Sequence, residues 1–197
     1  MGPGEGLRRQ VQRLRTATLA PDCTDGDLVS RFVEIDDGAA FDELFRRTAP
    51  LVWGVCARGL GAGPDAEDAF QAVYLLLIRN ARGIRRRESV ASWLFGTARK
   101  VAARAAKRRS RDRRERSNPT PTEPSMHDPA PRDWLPLIET AVAELPEKYR
   151  IALLLCELRG LSREETARRL NLSENTLSSR LARAKEMLRR RLEPTGL

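Results

Sequence analysis

The feature that most limits how this chain can fold is a proline-rich segment at residues 117–132, with the sequence SNPTPTEPSMHDPAPR. It contains five prolines and almost no large apolar residue. Proline lacks a backbone N–H and fixes φ, so this composition is typical of an extended linker. Because such a linker cannot bury a core, we expect it to divide the 197-residue chain into two small domains.

Apolar residues on both sides of the linker recur at spacings of three and four, which is typical of amphipathic helices. Leu28, Phe32 and Ile35 form one such stripe, and another runs through residues 40–56, where Pro50 is expected to kink or restart the helix. No stretch shows convincing alternation with a period of two. The sequence therefore predicts an all-α fold made of two small helical domains.

The predicted boundaries are a flexible N-terminal tail at residues 1–24, a helical domain at 25–116, the linker at 117–132 and a second helical domain at 133–193. The tail has a short stretch in helical register, but a terminus without a docking partner usually frays. Gly96 lies inside the last predicted helix of the first domain, at a cost of about 1 kcal/mol relative to alanine. We therefore expect another backbone or a ligand to approach Gly96 closely.

Residues 161–192 predict two helices joined by a tight turn. Ser162 and Glu165 have the spacing of a capping box, and Asn171 tolerates the left-handed conformation that such a turn needs. Ser173 is expected to cap the second helix. Its apolar stripe follows at i, i+4, i+7 and i+11: Leu177, Leu181, Ala184 and Leu188.

The opposite face of that second helix carries polar residues near its N-terminus. They are Asn175, Thr176, Ser178 and Ser179. These residues are poor helix formers but good hydrogen-bond partners for base edges in a DNA groove. Most helical hairpins are only packing units, yet this choice of residues favours a helix-turn-helix recognition element.

Charge is distributed unevenly along the chain. Residues 82–116 contain fourteen basic and three acidic residues, whereas residues 22–74 contain eleven acidic and four basic residues. Trp93 and Phe95 stand at the start of the basic helix, and aromatic rings beside arginines are typical of a surface that holds unstacked bases and phosphates. This separation of acidic and basic residues along the chain indicates two different partners, one of them polyanionic.

The residues do not indicate catalysis or a bound cofactor. Asp65, Glu67 and Asp68 crowd the first turn of a helix that begins at Pro64, where the helix dipole favours anions, and His127 is the only histidine. No GK[ST] loop or nucleophile–base pair is visible. We predict no catalytic residue, no metal and no cofactor, and interpret the acidic helix as a protein-binding face.

Three cysteines without a CxxC pattern indicate reduced thiols. No apolar run approaches the length of a membrane span, and the first 20 residues lack a secretory signal, so we expect a cytoplasmic protein without membrane insertion.

In this order, the segments resemble the extracytoplasmic-function sigma factors, bacterial sigma factors that keep only regions 2 and 4. The resemblance covers residues 25–192. It rests on AFDELFRRTAPLV at 40–52, DAEDAFQAVYLLL at 65–77, SWLFGTARKVA at 92–102, LPEKYRIALLL at 145–155 and SREETARRLNLSENTLSSRLARAKEML at 162–188. It implies that residues 25–116 are region 2 and residues 133–193 are region 4. The implied partners are core RNA polymerase and promoter DNA, with an anti-sigma factor as a further candidate.

The resemblance also implies roles for individual residues. Contacts to the coiled-coil clamp of the polymerase large subunit are expected from Asp65, Glu67, Asp68, Gln71 and Tyr74. Contacts to the melted minus-ten element are expected from Arg85, Arg86, Arg87, Ser92, Trp93, Arg99, Lys100 and Arg104. Contacts to the minus-thirty-five duplex are expected from Asn175, Thr176, Ser178 and Ser179 at base edges and from Arg180, Arg183 and Lys185 at phosphates.

Two helices depart from the family pattern. Asn175 and Ser178 stand where a glycine and a lysine are common, so a promoter preference does not carry over, and Ala72 stands where an acid often follows the glutamine. The alternative is an autonomous helix-turn-helix regulator that binds duplex DNA without polymerase, usually as a dimer. It would leave the acidic helix and the Trp93 region unexplained.

Overall fold

The computed structural model describes residues 23–84, 89–116 and 135–195. These residues form eight α-helices and no strands, so the all-α prediction is confirmed for this part of the chain. The helices are α1 (Asp25–Ile35), α2 (Gly38–Leu60), α3 (Pro64–Asn80), α4 (Val90–Arg116), α5 (Leu135–Ala143), α6 (Glu147–Leu153), α7 (Arg163–Arg169) and α8 (Glu174–Leu192). Residues 1–22 of the predicted tail at 1–24 and the whole predicted linker at 117–132 lie outside the described residues.

Helices α1 to α4 pack around an aliphatic core, with α2 against α1, α3 and α4. Its central side chains are fully or almost fully buried: Leu28, Leu44, Leu51, Val52, Val55, Leu77, Leu94 and Phe95. Ile35 is 63% exposed, so its prediction as a core residue is wrong. Ile35 is the last residue of α1, and Asp36 after it takes a left-handed φ of 51°, which turns the chain away from the core.

Helix α2 continues through Pro50, so the predicted restart at this proline is wrong. A proline inside a helix costs about 3 kcal/mol. Leu44 precedes Pro50 and Leu51 follows it, and both are buried. Because burying one such side chain is worth about 1.5–3 kcal/mol, packing on both sides of the proline outweighs its cost.

The second half of the chain contains α5 to α8, and its last two helices form the predicted hairpin. Ser162 Oγ accepts from Glu165 N at 3.1 Å, Asn171 has φ 52°, and Ser173 Oγ accepts from Thr176 N at 3.2 Å. The reciprocal half of the predicted capping box does not form, because the Glu165 carboxylate is bound by Arg169 Nε at 2.6 Å instead. The turn chemistry that the sequence predicts is otherwise confirmed.

The segment between α6 and α7 departs from a plain α-helix. Residues Leu154–Leu158 form a π-helical turn, and Arg159 N donates to Leu154 O at 3.0 Å. Gly160 then takes a left-handed φ of 67°, a conformation that glycine adopts without strain. Pro146 precedes α6 as its N-terminal cap residue.

The two halves share one hydrophobic core. Val142, Leu145, Ile151 and Leu154 from the second half belong to the same buried cluster as Leu94 and the rest of the α1–α4 core. Helix α4 contacts α6 and the π-helical turn, and α2 contacts α5. None of the helices in the described ranges is both long and apolar enough to span a membrane.

Candidate protein and nucleic-acid interfaces

The acidic start of α3 is exposed. Pro64 is the first helical residue, and Asp65, Glu67, Asp68 and Gln71 all point to solvent. Among the described residues, no group of acids, histidines and cysteines is arranged to hold a metal ion. An exposed acidic helix end of this kind is suited to binding a basic protein surface.

Tyr74, by contrast, belongs to the core. It is 5% exposed, and its Oη lies 2.9 Å from Thr48 Oγ1. Burial raises the pKa of Tyr74 to about 12. Its prediction as a surface contact residue is therefore corrected: the ring lies on the inner side of α3, where it packs edge-on against Phe70.

Two exposed apolar residues on α3 were missed in the sequence. Leu75 is 62% exposed and Ile78 is 45% exposed. They follow Gln71 at i+4 and i+7, so they extend the polar face of the helix by almost two turns. This spacing was readable from the sequence, since a leucine and an isoleucine in register with Asp68 and Gln71 fall opposite the core stripe.

A second missed feature is an aromatic cluster on the outer surface of α2 and α3. Phe45 and Trp53 are more than a third exposed, and each contacts the ring of Phe70, at centroid distances of 5.7 and 5.9 Å. The spacing of eight residues between Phe45 and Trp53 places them on one side of α2. The sequence pattern assigned Phe45 to the core and gave Trp53 no role.

The N-terminal part of α4 is largely covered. Ser92 is 5% exposed and accepts from Arg150 Nε at 2.6 Å, and Arg99 Nη2 donates to Thr140 Oγ1 at 2.9 Å. Trp93 is partly buried against the core. Phe95 is 1% exposed, so its prediction as part of a base-stacking surface is wrong.

Further along α4, Lys100 and Arg104 are exposed. A groove between α3 and α4 continues this basic surface, and Arg109 Nη1 crosses it to Asp65 Oδ2 at 3.3 Å. Apart from the adjacent residues and the backbone of the same helical turns, no described atom lies within 4 Å of the place that a Cβ on Gly96 would take. The predicted close approach of another backbone at Gly96 is therefore wrong. Residues Arg85, Arg86 and Arg87 lie outside the described residues.

The polar face of α8 is open to solvent. Asn175, Thr176, Ser179, Arg183 and Lys185 are exposed, while Ser178 and Arg180 are half-buried. The opposite face packs as predicted: Leu177 and Leu181 are buried with Ala152 and Ala167.

Two contacts within the protein hold groups on this face. Ser179 Oγ donates to Asn175 O at 2.9 Å, which leaves the hydroxyl lone pairs available as acceptors. Lys185 Nζ pairs with Glu157 at 2.8 Å. Of the charged groups predicted to contact phosphates, Arg183 is thus the most openly presented.

Family models and relatives agree on the class of protein. A model of Sigma-70 region 2 matches residues 44–112, and a model of Sigma-70 region 4 matches residues 135–188. The ECF RNA polymerase sigma factor SigM of Mycobacterium tuberculosis is 33% identical over 182 residues, 86% of this chain and 85% of that protein. The probable RNA polymerase sigma-C factor of Mycobacterium bovis is 32% identical, covering 82% of this chain and 88% of its own length.

Among solved structures, CnrH in complex with the cytosolic domain of CnrY matches 86% of this chain and 97% of its own, at 20% identity and a TM-score of 0.39. The sigma factor RpoE from Bartonella quintana, in complex with the anti-sigma factor NepR, matches at 19% identity and a TM-score of 0.37. It covers 78% of this chain and 96% of that chain.

The chain belongs to the ECF RNA polymerase sigma factors of the sigma-70 family. It binds core RNA polymerase and promoter DNA and directs promoter-specific transcription initiation, as the sequence predicts. The family consists of initiation factors without catalytic activity. An autonomous regulator that acts without polymerase is not favoured.

Proposed function

We propose that this sigma factor divides its contacts among three surfaces, with polymerase on α3, melted minus-ten DNA on α4 and minus-thirty-five duplex on α8. The polymerase surface is supported by one continuous exposed stripe. It begins with Asp68 and Gln71 and continues with Leu75 and Ile78. Exposed leucine and isoleucine beside charged residues are typical of a protein interface, in which an apolar centre is surrounded by a polar rim.

The minus-ten surface is supported by the position of the basic residues on α4. Lys100 and Arg104 are exposed on the helix that also carries Ser92, Trp93 and Arg99. Cations along a helix neutralise phosphates, and an aromatic ring nearby offers a stacking surface for an extruded base. Arg85, Arg86 and Arg87 precede this helix in the sequence and complete the proposed set.

The minus-thirty-five surface is supported by the exposure of α8. A helix that enters the major groove presents its N-terminal residues to base edges, and Asn175, Thr176 and Ser179 are exposed there, with Ser178 at the flank. Arg180, Arg183 and Lys185 follow within two turns and are proposed to contact phosphates.

The boundaries at residues 25–116 for region 2 and 133–193 for region 4, with a linker between them, form part of this proposal. We further propose that the protein acts in the cytoplasm, where the polymerase is, and has no catalytic residue of its own. An anti-sigma factor is a further proposed regulatory partner, as the resemblance of the sequence to the ECF sigma factors implies.

The test is reconstitution with bacterial core polymerase. Replacing Asp68 and Gln71 by alanine is expected to weaken core binding at least tenfold without changing the helical content, because both side chains are exposed. Glu34→Ala removes an equally exposed acid from α1 and is the matched control. Unchanged core binding by the double variant would show that the docking face lies elsewhere.

A further inference from the structure

Three of the cations on α8 are neutralised by acidic side chains of the same half of the chain. Arg189 and Arg190 both pair with Glu186, at 3.1 and 2.6 Å. Lys185 is the third, and its Nζ lies 2.8 Å from Glu157 Oε1. Because Lys185 is also one of the groups proposed to contact a phosphate, its acidic partner is placed to influence how α8 binds DNA.

Glu157 reaches α8 from another segment, the π-helical turn Leu154–Leu158. This turn is anchored on both sides of Glu157, since Leu154 is fully buried and Arg159 pairs with Asp25 of α1. Glu157 itself is exposed. π-Helical turns are rare and are frequently found at functional sites. Here the turn holds a carboxylate against the edge of the recognition helix.

Lys185 lies at the edge of the DNA-facing surface of α8. It follows Ser178 by seven residues, so the two side chains lie on the same side of the helix, about 10 Å apart along its axis. Ser178 is proposed to face base edges, and a cation two turns further along the same side is suited to the neighbouring phosphates. Glu157 thus occupies a hydrogen-bonding position on a cation that DNA would also use.

The ion pair is open to solvent, since the side chains of Lys185 and Glu157 are 59% and 48% exposed. Exposed ion pairs contribute little to stability, so this pair can be exchanged for another anion without harm to the fold. A phosphate that binds Lys185 must first break the pair, and it then lies close to the negative charge of Glu157. Both effects oppose binding, and neither depends on the base sequence.

We propose that Glu157 lowers the affinity of region 4 for every duplex by competing with DNA phosphate for Lys185. The proposal rests on the proposed assignment of α8 to the minus-thirty-five element. Base recognition by Asn175 and Ser179 is unaffected, because the competition acts on a phosphate contact. Glu157 therefore sets the strength of duplex binding and not the preference for a sequence.

The competition affects the free protein more than the protein bound to polymerase. A genome offers a large excess of non-specific duplex, and binding to it is almost entirely electrostatic. The loss of one phosphate contact weakens that binding about three- to fivefold. At a promoter, polymerase holds α8 beside its site at a high local concentration, so the same loss matters less. Glu157 thus favours duplex recognition by the polymerase-bound protein.

The experiment uses the full chain and measures its affinity for two fluorescent duplexes of unrelated sequence, each of about 20 base pairs, or two helical turns. Anisotropy is recorded at several salt concentrations. Glu157→Gln removes the charge of the carboxylate and keeps its size, Lys185→Gln removes the cation, and the double variant removes both. Glu34→Gln makes the same charge change at an exposed position of α1 and is the matched control.

We expect Glu157→Gln to bind both duplexes about fivefold more tightly, because Lys185 is released to a phosphate. The slope of log K against log salt should become steeper by about 0.9, the value for one additional phosphate contact. Glu34→Gln should change both quantities much less. When Glu157→Gln is added to Lys185→Gln, the slope should stay the same and the gain should not exceed about twofold, since only screened repulsion is removed.

Two results would overturn the proposal. Unchanged or weaker binding by Glu157→Gln would show that Glu157 does not oppose DNA, or that it holds Lys185 in place for the phosphate. An equal gain with and without Lys185 would show that no competition for this cation occurs. Arg183→Ala distinguishes these failures from failure of the proposed function: if that variant binds both duplexes as tightly as the wild type, α8 is not the duplex-binding surface.

Discussion

The two proposed DNA surfaces of this sigma factor differ in how the protein presents them. The polar residues of α8 are exposed, whereas Ser92 and Arg99 on α4 are engaged by Arg150 and Thr140 of the other half. Duplex DNA offers its groove edges without rearrangement, but a melted strand exposes its bases only after a few kcal/mol has been spent on unpairing. The exposed surface of α8 therefore suits duplex DNA, which is available at once, and the covered surface of α4 suits melted DNA, which becomes available only later.

The comparison also separates local from long-range determinants. The α7–α8 hairpin is set by caps within a few residues, such as Ser162 to Glu165 and Ser173 to Thr176. The covered part of α4 is set by contacts across 41 to 58 residues of sequence. Substitutions on α8 therefore test the locally determined surface. Substitutions in the core that the two halves share, and between α2 and α3, test the structure that long-range contacts determine.

The largest expected effect is that of Leu154→Ala in the shared core. Leu154 is fully buried and belongs to the cluster that joins the halves. Its truncation should lower the free energy of unfolding by about 2–5 kcal/mol, and urea unfolding should remain a single transition. Leu158→Ala, at a residue 37% exposed on the same turn, is the control and should change stability much less. Two transitions with only one shifted would show that the halves unfold independently.

The second prediction concerns the open surface. Ser179→Ala should change binding to the correct minus-thirty-five sequence by about 1–3 kcal/mol and have little effect on mismatched sequences, since a base contact carries the specificity. Arg183→Ala should weaken binding to all sequences and reduce the slope of log K against log salt by about one. Fluorescence anisotropy with duplex probes at several salt concentrations measures both quantities. Equal effects on every sequence would refute this division of roles.

The third prediction checks that Tyr74 acts in the core. Tyr74→Phe removes the hydrogen bond to Thr48 and should lower stability by about 1 kcal/mol. The pKa of Tyr74 in the folded protein, about 12, lies above the ordinary value of a tyrosine, 10. The wild type should therefore keep this contribution below pH 10 and lose it as the pH rises towards 12, because the unfolded phenol ionises first.

Urea unfolding of both proteins at pH 8, 10 and 11 measures this difference, which should shrink or reverse at the alkaline end. Core polymerase binding by the folded variant should be unchanged. A large loss of binding to core polymerase, with no loss of stability, would show that Tyr74 contacts the polymerase after all.

The smallest expected effect comes from Glu43 of α2. A hydrogen bond from Arg46, followed by one from Arg47, lowers the pKa of Glu43 from 4.5 to about 2. Its contribution to stability should be fully present above pH 4.5 and lost as the pH falls towards 2. In Glu43→Gln, the free energy of unfolding should therefore fall less between pH 4.5 and 2 than in the wild type. The difference should be below about 1 kcal/mol, since partly exposed ion pairs are worth little. Thermal unfolding between pH 2.5 and 6 is the measurement.

The sequence predicts most of the helices and both helices and the turn of the hairpin because their determinants are local. Pro64 begins α3, Asn171 makes the left-handed turn and Ser173 caps α8, each from the chemistry of one side chain. Exposure along α8 follows from its apolar stripe, since residues opposite a buried stripe face solvent.

The interior contacts of the first half could not be read in the same way. Phe95 and Tyr74 are aromatic residues in motifs linked to function, yet both lie in the core because neighbouring helices close over them. Pro50 is a helix breaker by propensity, and only tertiary packing keeps α2 continuous. The burial of Ser92 depends on Arg150, 58 residues later, which no local pattern reveals.

The π-helical turn at Leu154–Leu158 has a consequence for how insertions and deletions would act on this chain. A π-turn holds one more residue than an α-turn, and each residue of an α-helix advances the direction of the side chains by about 100°. Deleting one residue here would favour a regular helix and rotate Arg159 away from Asp25. Everything after the turn, including the recognition helix, would then leave α6 in a different direction. The orientation of the half that reads duplex DNA therefore depends on the number of residues in this single π-helical turn.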